Sequence, residues 1–196
     1  MVESVMHKID YNSQRDNVTF GSFPGYRQCF TTCAWMMMSY YSDMIDGKSD
    51  RAMASYFEDV EDSVGKSGIG EKIKQKYNWI RGNTSLWWLV QQAGIKEWLS
   101  RYGVKGHAVY ADSCPIDKLI DLVEQGPVIV GTKKLGGLPG GHIILLTGYR
   151  NGAFIVNDPY GSALTNYRDH NGDSVIYPVD YLKKYLTGGR CIFWSN

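Results

Sequence analysis

Residues 140–161 have the sequence GGHIILLTGYRNGAFIVNDPYG, and this stretch decides much of the fold. An apolar run follows His142, the dipeptide Asn151-Gly152 is typical of a two-residue hairpin turn, and a second apolar run ends at Asp158. The stretch therefore predicts two antiparallel strands. His142 opens the first strand and Asp158 ends the second, so an imidazole and a carboxylate could lie side by side.

That pairing indicates a cysteine enzyme, for which the chain offers Cys29 as the nucleophile. Cys29 lies in the segment QCFTTCAWMMM, residues 28–38, at the start of an apolar pattern that predicts a helix. The positive end of a helix and a nearby imidazole are the surroundings that favour a reactive thiolate. Nucleophile, then base His142, then orienter Asp158 is one of the orders that cysteine hydrolases use.

Each role in this scheme has a competitor. Cys33 lies one helical turn after Cys29, so the two could form a redox pair, half of a metal site, or a nucleophile with a packing residue; we interpret Cys33 as packing. Asn157 could orient the imidazole in place of Asp158, although strand alternation turns only one of the two towards it. An oxyanion donor beside the Cys29 backbone N–H could be the side-chain amide of Gln14 or of Gln28.

Composition excludes several classes of protein. The 196 residues carry 21 Lys and Arg against 20 Asp and Glu, a net charge of +1 without long runs of one sign, which predicts no nucleic-acid partner. No apolar run is long enough for a membrane span, and the start of the chain has no secretory signal pattern, so we expect synthesis in the cytoplasm. Four cysteines in a chain of this length predict mostly reduced thiols, and no metal or other cofactor is expected.

The fold class predicted from hydrophobic periodicity is α+β, as a single domain over 1–196. A helical half, about 1–125, carries the nucleophile helix, and a β half, about 126–196, carries His and Asp in an antiparallel sheet. Thr31 or Thr32 could cap the first helix. The pattern predicts helices over 30–44, 51–64, 71–79, 85–103, 115–125 and 179–185, and strands over 108–111, 128–132, 142–149, 153–157, 174–178 and 191–194, with a further short strand before residue 28.

Five motifs in order resemble the papain-like cysteine peptidases related to the bacteriocin-processing, double-glycine peptidase domains, in their stand-alone branch. They are Gln14 in an N-terminal loop, Cys29 at a helix start, and the segments Gly126-Pro127-Val128, Gly141-His142-Ile143 and Asn157-Asp158-Pro159. Two positions depart from the family pattern. Phe30 replaces a small residue after the cysteine, and Cys33 stands where Ser is common.

The resemblance implies a papain-like fold with Cys29 as nucleophile, His142 as general base and acid, Asp158 as orienter and Gln14, rather than Gln28, as oxyanion donor. It implies a hydrolase that cleaves a peptide or amide bond, and by analogy a phage endolysin that reaches the bacterial cell wall after release and cuts peptidoglycan peptides. Two alternatives stay open: an acyltransferase that uses the same triad, and a catalytically idle module that binds peptides or glycans on the same fold. The sequence assigns no oligomeric state.

Overall fold

The structure is a computed structural model that describes residues 4–17, 25–45 and 84–195. The helices predicted over 51–64 and 71–79 lie outside these ranges. Within them, helices α1 to α4 and strands β1 to β7 occur at α1 Cys29–Tyr41, α2 Thr84–Arg101, α3 Ile116–Gln125, α4 Val179–Lys183, β1 Ser4–Met6, β2 His107–Ala111, β3 Val128–Lys133, β4 Gly141–Arg150, β5 Ala153–Asn157, β6 Val175–Pro178 and β7 Leu186–Ser195.

The strands form one antiparallel sheet in the order β2-β7-β3-β4-β5-β6. Strand β1 pairs with residues 148–150 of β4, beyond the part of β4 that pairs with β3. This arrangement of helices and antiparallel strands confirms the α+β fold class. The short strand predicted before residue 28 and the strand predicted over 108–111 are both present, as β1 and β2, and both join the sheet from the first 125 residues. Sequence periodicity could not predict which strand β1 joins, because β1 is three residues long and its partners in β4 lie 142–146 residues away in the chain.

Helices cover both faces of the sheet and bury it. Alternation along a strand sends neighbouring side chains to opposite faces, so Ile129 packs with α1 and α2, whereas Val128 and Val130 pack with α3 and α4. All positions from His142 to Gly148 in β4 are buried. This double burial explains why the segment is a continuous apolar run rather than an alternating one.

The predicted hairpin between β4 and β5 is confirmed. Arg150 pairs with Ala153 across the turn, and the two turn residues, Asn151 and Gly152, have φ values of 51° and 78°. Asn and Gly are the residues that adopt two consecutive left-handed conformations at low cost. The turn therefore sets a register that brings the start of β4 and the end of β5 to the same edge of the sheet.

Helix α1 begins earlier than predicted. Its first residue is Cys29, and Gln28 stands at the capping position without a side-chain capping bond, so the assignment of Thr31 or Thr32 as the cap was wrong. Thr32 lies inside the first turn, where its hydroxyl donates to the carbonyl of Gln28 at 2.8 Å.

In the ranges that the structure describes, no helix is both long and apolar enough to cross a lipid bilayer.

Candidate active site

His142 and Asp158 form a buried hydrogen-bonded pair. His142 Nε2 lies 2.7 Å from Asp158 Oδ1, and both side chains are almost inaccessible to solvent. Burial alone would lower the pKa of the His142 imidazole, but the charge of Asp158, the hydrogen bond to it and interactions with Cys29 together raise that pKa above 6.5. The pair therefore favours a protonated imidazole at neutral pH.

Cys29 is the thiol that contacts this pair. It is half-buried, lines the same cleft as His142, and its interaction with the imidazole contributes to the raised pKa of His142. Cys29 is also the first residue of α1, where the backbone N–H groups have no partner within the helix and attract negative charge.

Cys33 lies one turn further along α1 and is fully buried. Its Sγ lies 3.5 Å from the carbonyl oxygen of Ile143, to which the thiol donates, and burial raises the pKa of Cys33 well above its ordinary value. A buried, protonated thiol is a poor nucleophile. The remaining thiols, Cys114 and Cys191, are buried on the other face of the sheet and lie against each other.

Four donors saturate the carboxylate of Asp158. Oδ1 accepts from His142 and from the backbone N–H of Tyr160 at 3.1 Å, while Oδ2 accepts from the hydroxyls of Tyr167 at 3.2 Å and Tyr177 at 2.9 Å. A buried charge needs this number of partners to offset its loss of water. The carboxylate is thereby fixed in one orientation, which fixes the plane of the imidazole.

We expect the two tyrosines to contribute unequally to stability. Tyr167→Phe removes one hydrogen bond to Asp158 and should lower the free energy of unfolding by about 1 kcal/mol. Tyr177→Phe should cost about 3 kcal/mol, because the Tyr177 hydroxyl also accepts from the backbone N–H of Ala163 at 2.8 Å, which would be left buried and unpaired. Urea unfolding measures both, with Tyr149→Phe as a control whose hydroxyl has no hydrogen bond among the described residues. Equal costs for the two variants would contradict this account.

The N-terminal segment holds the loop after Asp158 in place. The Tyr11 hydroxyl donates to the carbonyl of Asp158 at 3.0 Å, Gln14 N–H donates to Pro159 O at 2.9 Å, and Arg15 Nε donates to Tyr160 O at 2.7 Å. The Arg15 guanidinium also lies 3.8 Å from the centre of the Tyr160 ring, a cation–π contact. These bonds tie residues 11–15 to the strand end that carries the carboxylate.

Gln14 is brought to the segment that precedes Cys29. Its side chain is buried, and Nε2 donates to the carbonyl of Tyr26 at 2.6 Å, while Oε1 has no hydrogen-bond partner within the described ranges. An amide carries a second N–H, which leaves one donor for another acceptor. Gln28 is placed differently, since its Oε1 accepts from Asn17 at 3.1 Å.

A cleft of about 460 Å³ opens beside Cys29 and His142. One wall is the indole of Trp88, which packs edge-to-face on Phe30 and stacks on Tyr110. Trp88 approaches β3 so closely that a Cβ on Gly131 would lie 2.7 Å from its ring. Phe30, which departs from the family pattern, thus supports the cleft wall by packing against Trp88.

Sequence reasoning missed several residues of this site. Tyr160, Tyr167 and Tyr177 contact the His142–Asp158 pair and Arg15 contacts Tyr160, and no local pattern had marked these residues as supports of that pair. The chain contains 14 Tyr and 6 Trp, and composition does not indicate where each ring lies. Trp88 does line a groove, whereas these tyrosines support the carboxylate.

The class of protein follows from comparison with known families. Residues 6–186 match the model of the Peptidase_C39 like family, so the chain belongs to that family of cysteine peptidases. The match spans Gln14, Cys29, His142 and Asp158. No curated protein matches the sequence.

Two solved structures are similar to this chain. One is a C39-like peptidase from Bacillus anthracis, with 16% identity and a TM-score of 0.38 over 54% of this chain; the chain spans only 58% of that protein's length. The other is a double glycine motif protease from an AMS/PCAT transporter, solved in complex with a leader peptide. It has 14% identity and a TM-score of 0.50, and the alignment covers 99% of this chain and 98% of that one. This second likeness supports the fold.

Proposed function

We propose that the protein hydrolyses a peptide bond through a Cys29–His142–Asp158 triad. The observation that carries the proposal is that Cys29 lies beside the imidazole of His142, which is hydrogen-bonded to Asp158, at the edge of an open cleft. Membership in a cysteine peptidase family supports the reaction class, and the contacts support the role that we propose for each side chain.

In this mechanism the Cys29 sulfur attacks the scissile carbonyl carbon as a thiolate, its proton having passed to His142. The imidazolium then donates that proton to the leaving amine, which departs and leaves an acyl group on sulfur. Water, deprotonated by the same imidazole, attacks the thioester and releases the acid. Asp158 holds the imidazole orientation and stabilises its charge throughout.

Gln14 is the proposed oxyanion donor. Its amide is anchored on Tyr26 O, three residues before Cys29, and the Cys29 backbone N–H at the start of α1 is the second donor. Two N–H groups aimed at the developing oxyanion are the arrangement that acyl transfer requires. The buried Oε1 of Gln14 has no hydrogen-bond partner among the described residues, so no bond at that atom holds the amide in a different orientation.

The proposed substrates are peptides. Peptidoglycan peptides, as for a phage endolysin, remain our hypothesis from the sequence, and the double glycine motif protease with its bound leader peptide adds Gly-Gly sequences as a second class to test. Both contain amide bonds that an open cleft of about 460 Å³ can receive.

The test incubates the wild-type protein with a mixed peptide library, Gly-Gly peptides and purified peptidoglycan in water enriched in ¹⁸O. We expect products that carry one heavy oxygen at the new carboxyl end, because water resolves the acyl-enzyme. Mass spectrometry identifies the products and the bond cleaved.

Parallel incubations with free amines separate this proposal from its alternatives. Amine adducts without ¹⁸O products would identify an acyltransferase. Intact substrates in every incubation, together with slow alkylation of all four thiols, would identify a catalytically idle binding module and overturn the proposal.

A further inference from the structure

A second cavity adjoins the cleft and is rich in lysine. It has a volume of about 360 Å³ and is lined by Lys133, Lys134, Lys184, Tyr185 and Leu186, which we call the lysine pocket. Lys133 lines both the lysine pocket and the cleft that contains Cys29. A substrate that extends along the cleft from Cys29 past Lys133 therefore enters the lysine pocket.

The backbone holds this pocket rigidly against the catalytic strand. Lys133 pairs with Gly141, the residue before His142, and its N–H donates to Tyr185 O at 2.8 Å. Lys134 N–H donates to Gly140 O at 3.0 Å. The pocket and the imidazole consequently share the same end of the β3–β4 pair, so a group bound in one is at a fixed distance from the other.

Lys134 occupies a backbone conformation that favours other residues. Its φ is 59°, in the left-handed region, which a residue with a side chain adopts less readily than glycine does. Glycine or asparagine would relieve this cost. A lysine at this position supplies a positive charge beside the cleft, and the other residues of the turn do not.

The charges of the pocket are not neutralised within the described part of the protein. None of the three ammonium groups has a carboxylate partner there, whereas Arg190, which also lines the cleft, pairs with Asp112 at 3.0 Å. The chain as a whole carries a net charge of only +1, so three lysines around one cavity are a local concentration of charge. Such a concentration attracts an anion from solution.

We propose that the lysine pocket is a substrate subsite that binds a carboxylate, so that the enzyme prefers peptides with an acidic group at a fixed distance from the scissile bond. The proposal rests on the proposed function and names its substrate class. Lys134 and Lys184 are specificity residues in this scheme: their ammonium groups bind the carboxylate and take no part in bond cleavage.

A series of thiol-directed probes tests the subsite without requiring turnover. The probes are iodoacetyl-(Gly)n-Glu-amide with n from 0 to 4 and the matched Gln peptides, and the rate of Cys29 alkylation is measured by peptide mass mapping. We expect the Glu/Gln rate ratio to peak at one spacer length at about five- to tenfold in low salt, and to fall as ionic strength rises. A series that ends in a free glycine carboxylate distinguishes a terminal carboxylate from an acidic side chain.

Charge removal identifies the groups responsible. The double variant Lys134→Gln, Lys184→Gln should reduce the peak ratio below about twofold while the Gln probes react at the wild-type rate, and Lys118→Gln, an exposed lysine on α3, should leave the ratio unchanged. A flat ratio at every spacer length, or a peak that survives the double substitution, overturns the subsite. The proposed function fails by a different result, the absence of Cys29-dependent hydrolysis.

Discussion

Cys29→Ala should abolish peptide hydrolysis, lowering kcat by at least about 10⁴-fold, while the protein keeps its fold. No other described thiol contacts the His142–Asp158 pair by a hydrogen bond, so no group can replace the lost nucleophile. Cys29 is only half-buried, so removal of its sulfur leaves no large cavity. The measurement is steady-state hydrolysis of the peptide identified by product analysis, with circular dichroism and urea unfolding to verify the fold.

Cys33→Ala is the matched control, because it removes the same atom one helical turn away. Here the expected change is in stability, about 1–2 kcal/mol from the loss of a fully buried thiol, with kcat within about tenfold of wild type. The pattern would be reversed if Cys33 were the nucleophile: Cys29→Ala would then retain hydrolysis and Cys33→Ala would lose it. Alkylation before assay gives a second readout, since one rapidly modified thiol, mapped to Cys29, should account for all inactivation.

Asp158→Asn should lower kcat/KM by about 10²–10⁴-fold and change its pH dependence. The charge of Asp158 is the largest of the influences that raise the pKa of His142 against the effect of burial. In the wild-type protein the imidazolium therefore persists above pH 6.5, and activity should decline only at more alkaline pH. Without that charge the alkaline limb of the profile should move towards acid pH, because burial then dominates.

The same pair makes stability depend on pH in a defined direction. A histidine whose pKa is higher in the folded than in the unfolded protein stabilises the fold fully below about pH 6.5, and this contribution is lost as pH rises through the raised pKa. We expect Asp158→Asn to remove that dependence. Asp121→Asn, an exposed carboxylate on α3, serves as the control. If the alkaline limb of the kcat/KM profile lay at the same pH in wild type and in Asp158→Asn, Asp158 would not set the protonation of the imidazole.

The sequence predicted the chemical partners well where a local signal existed. The Asn151-Gly152 turn and the apolar runs on either side predicted the β4–β5 hairpin, and hairpin geometry placed the ends of its strands at one edge. Alternation correctly implied that only one of Asn157 and Asp158 faces His142: Asp158 bonds the imidazole, whereas Asn157 bonds Ile9 O and the N–H of Ser174. These features depend on contacts between residues close in the chain.

The rest required tertiary structure. The pairing of β1 with β4, the hydrogen bonds from Tyr167 and Tyr177 to Asp158 and the Arg15 contact with Tyr160 join different elements and loops of the fold, and hydrophobic periodicity does not predict such contacts. The N-terminal boundary of α1 was also predicted incorrectly, because Thr32 resembles a capping residue but lies within the first turn, where its hydroxyl donates to the carbonyl of Gln28. Propensity describes what a residue can do, and the surrounding structure selects one option.

By itself, the sequence determined the hairpin, the helix that carries Cys29 and the set of residue types that a cysteine hydrolase needs. Local turn chemistry and hydrophobic pattern suffice for these. Only the tertiary structure decided that Cys29, rather than Cys33, contacts His142 and that four donors fix Asp158. It also placed the lysine pocket at the end of the same cleft. The physical reason is that hydrogen bonds act over about 3 Å in space, whereas the residues they join here lie up to 148 positions apart in the chain.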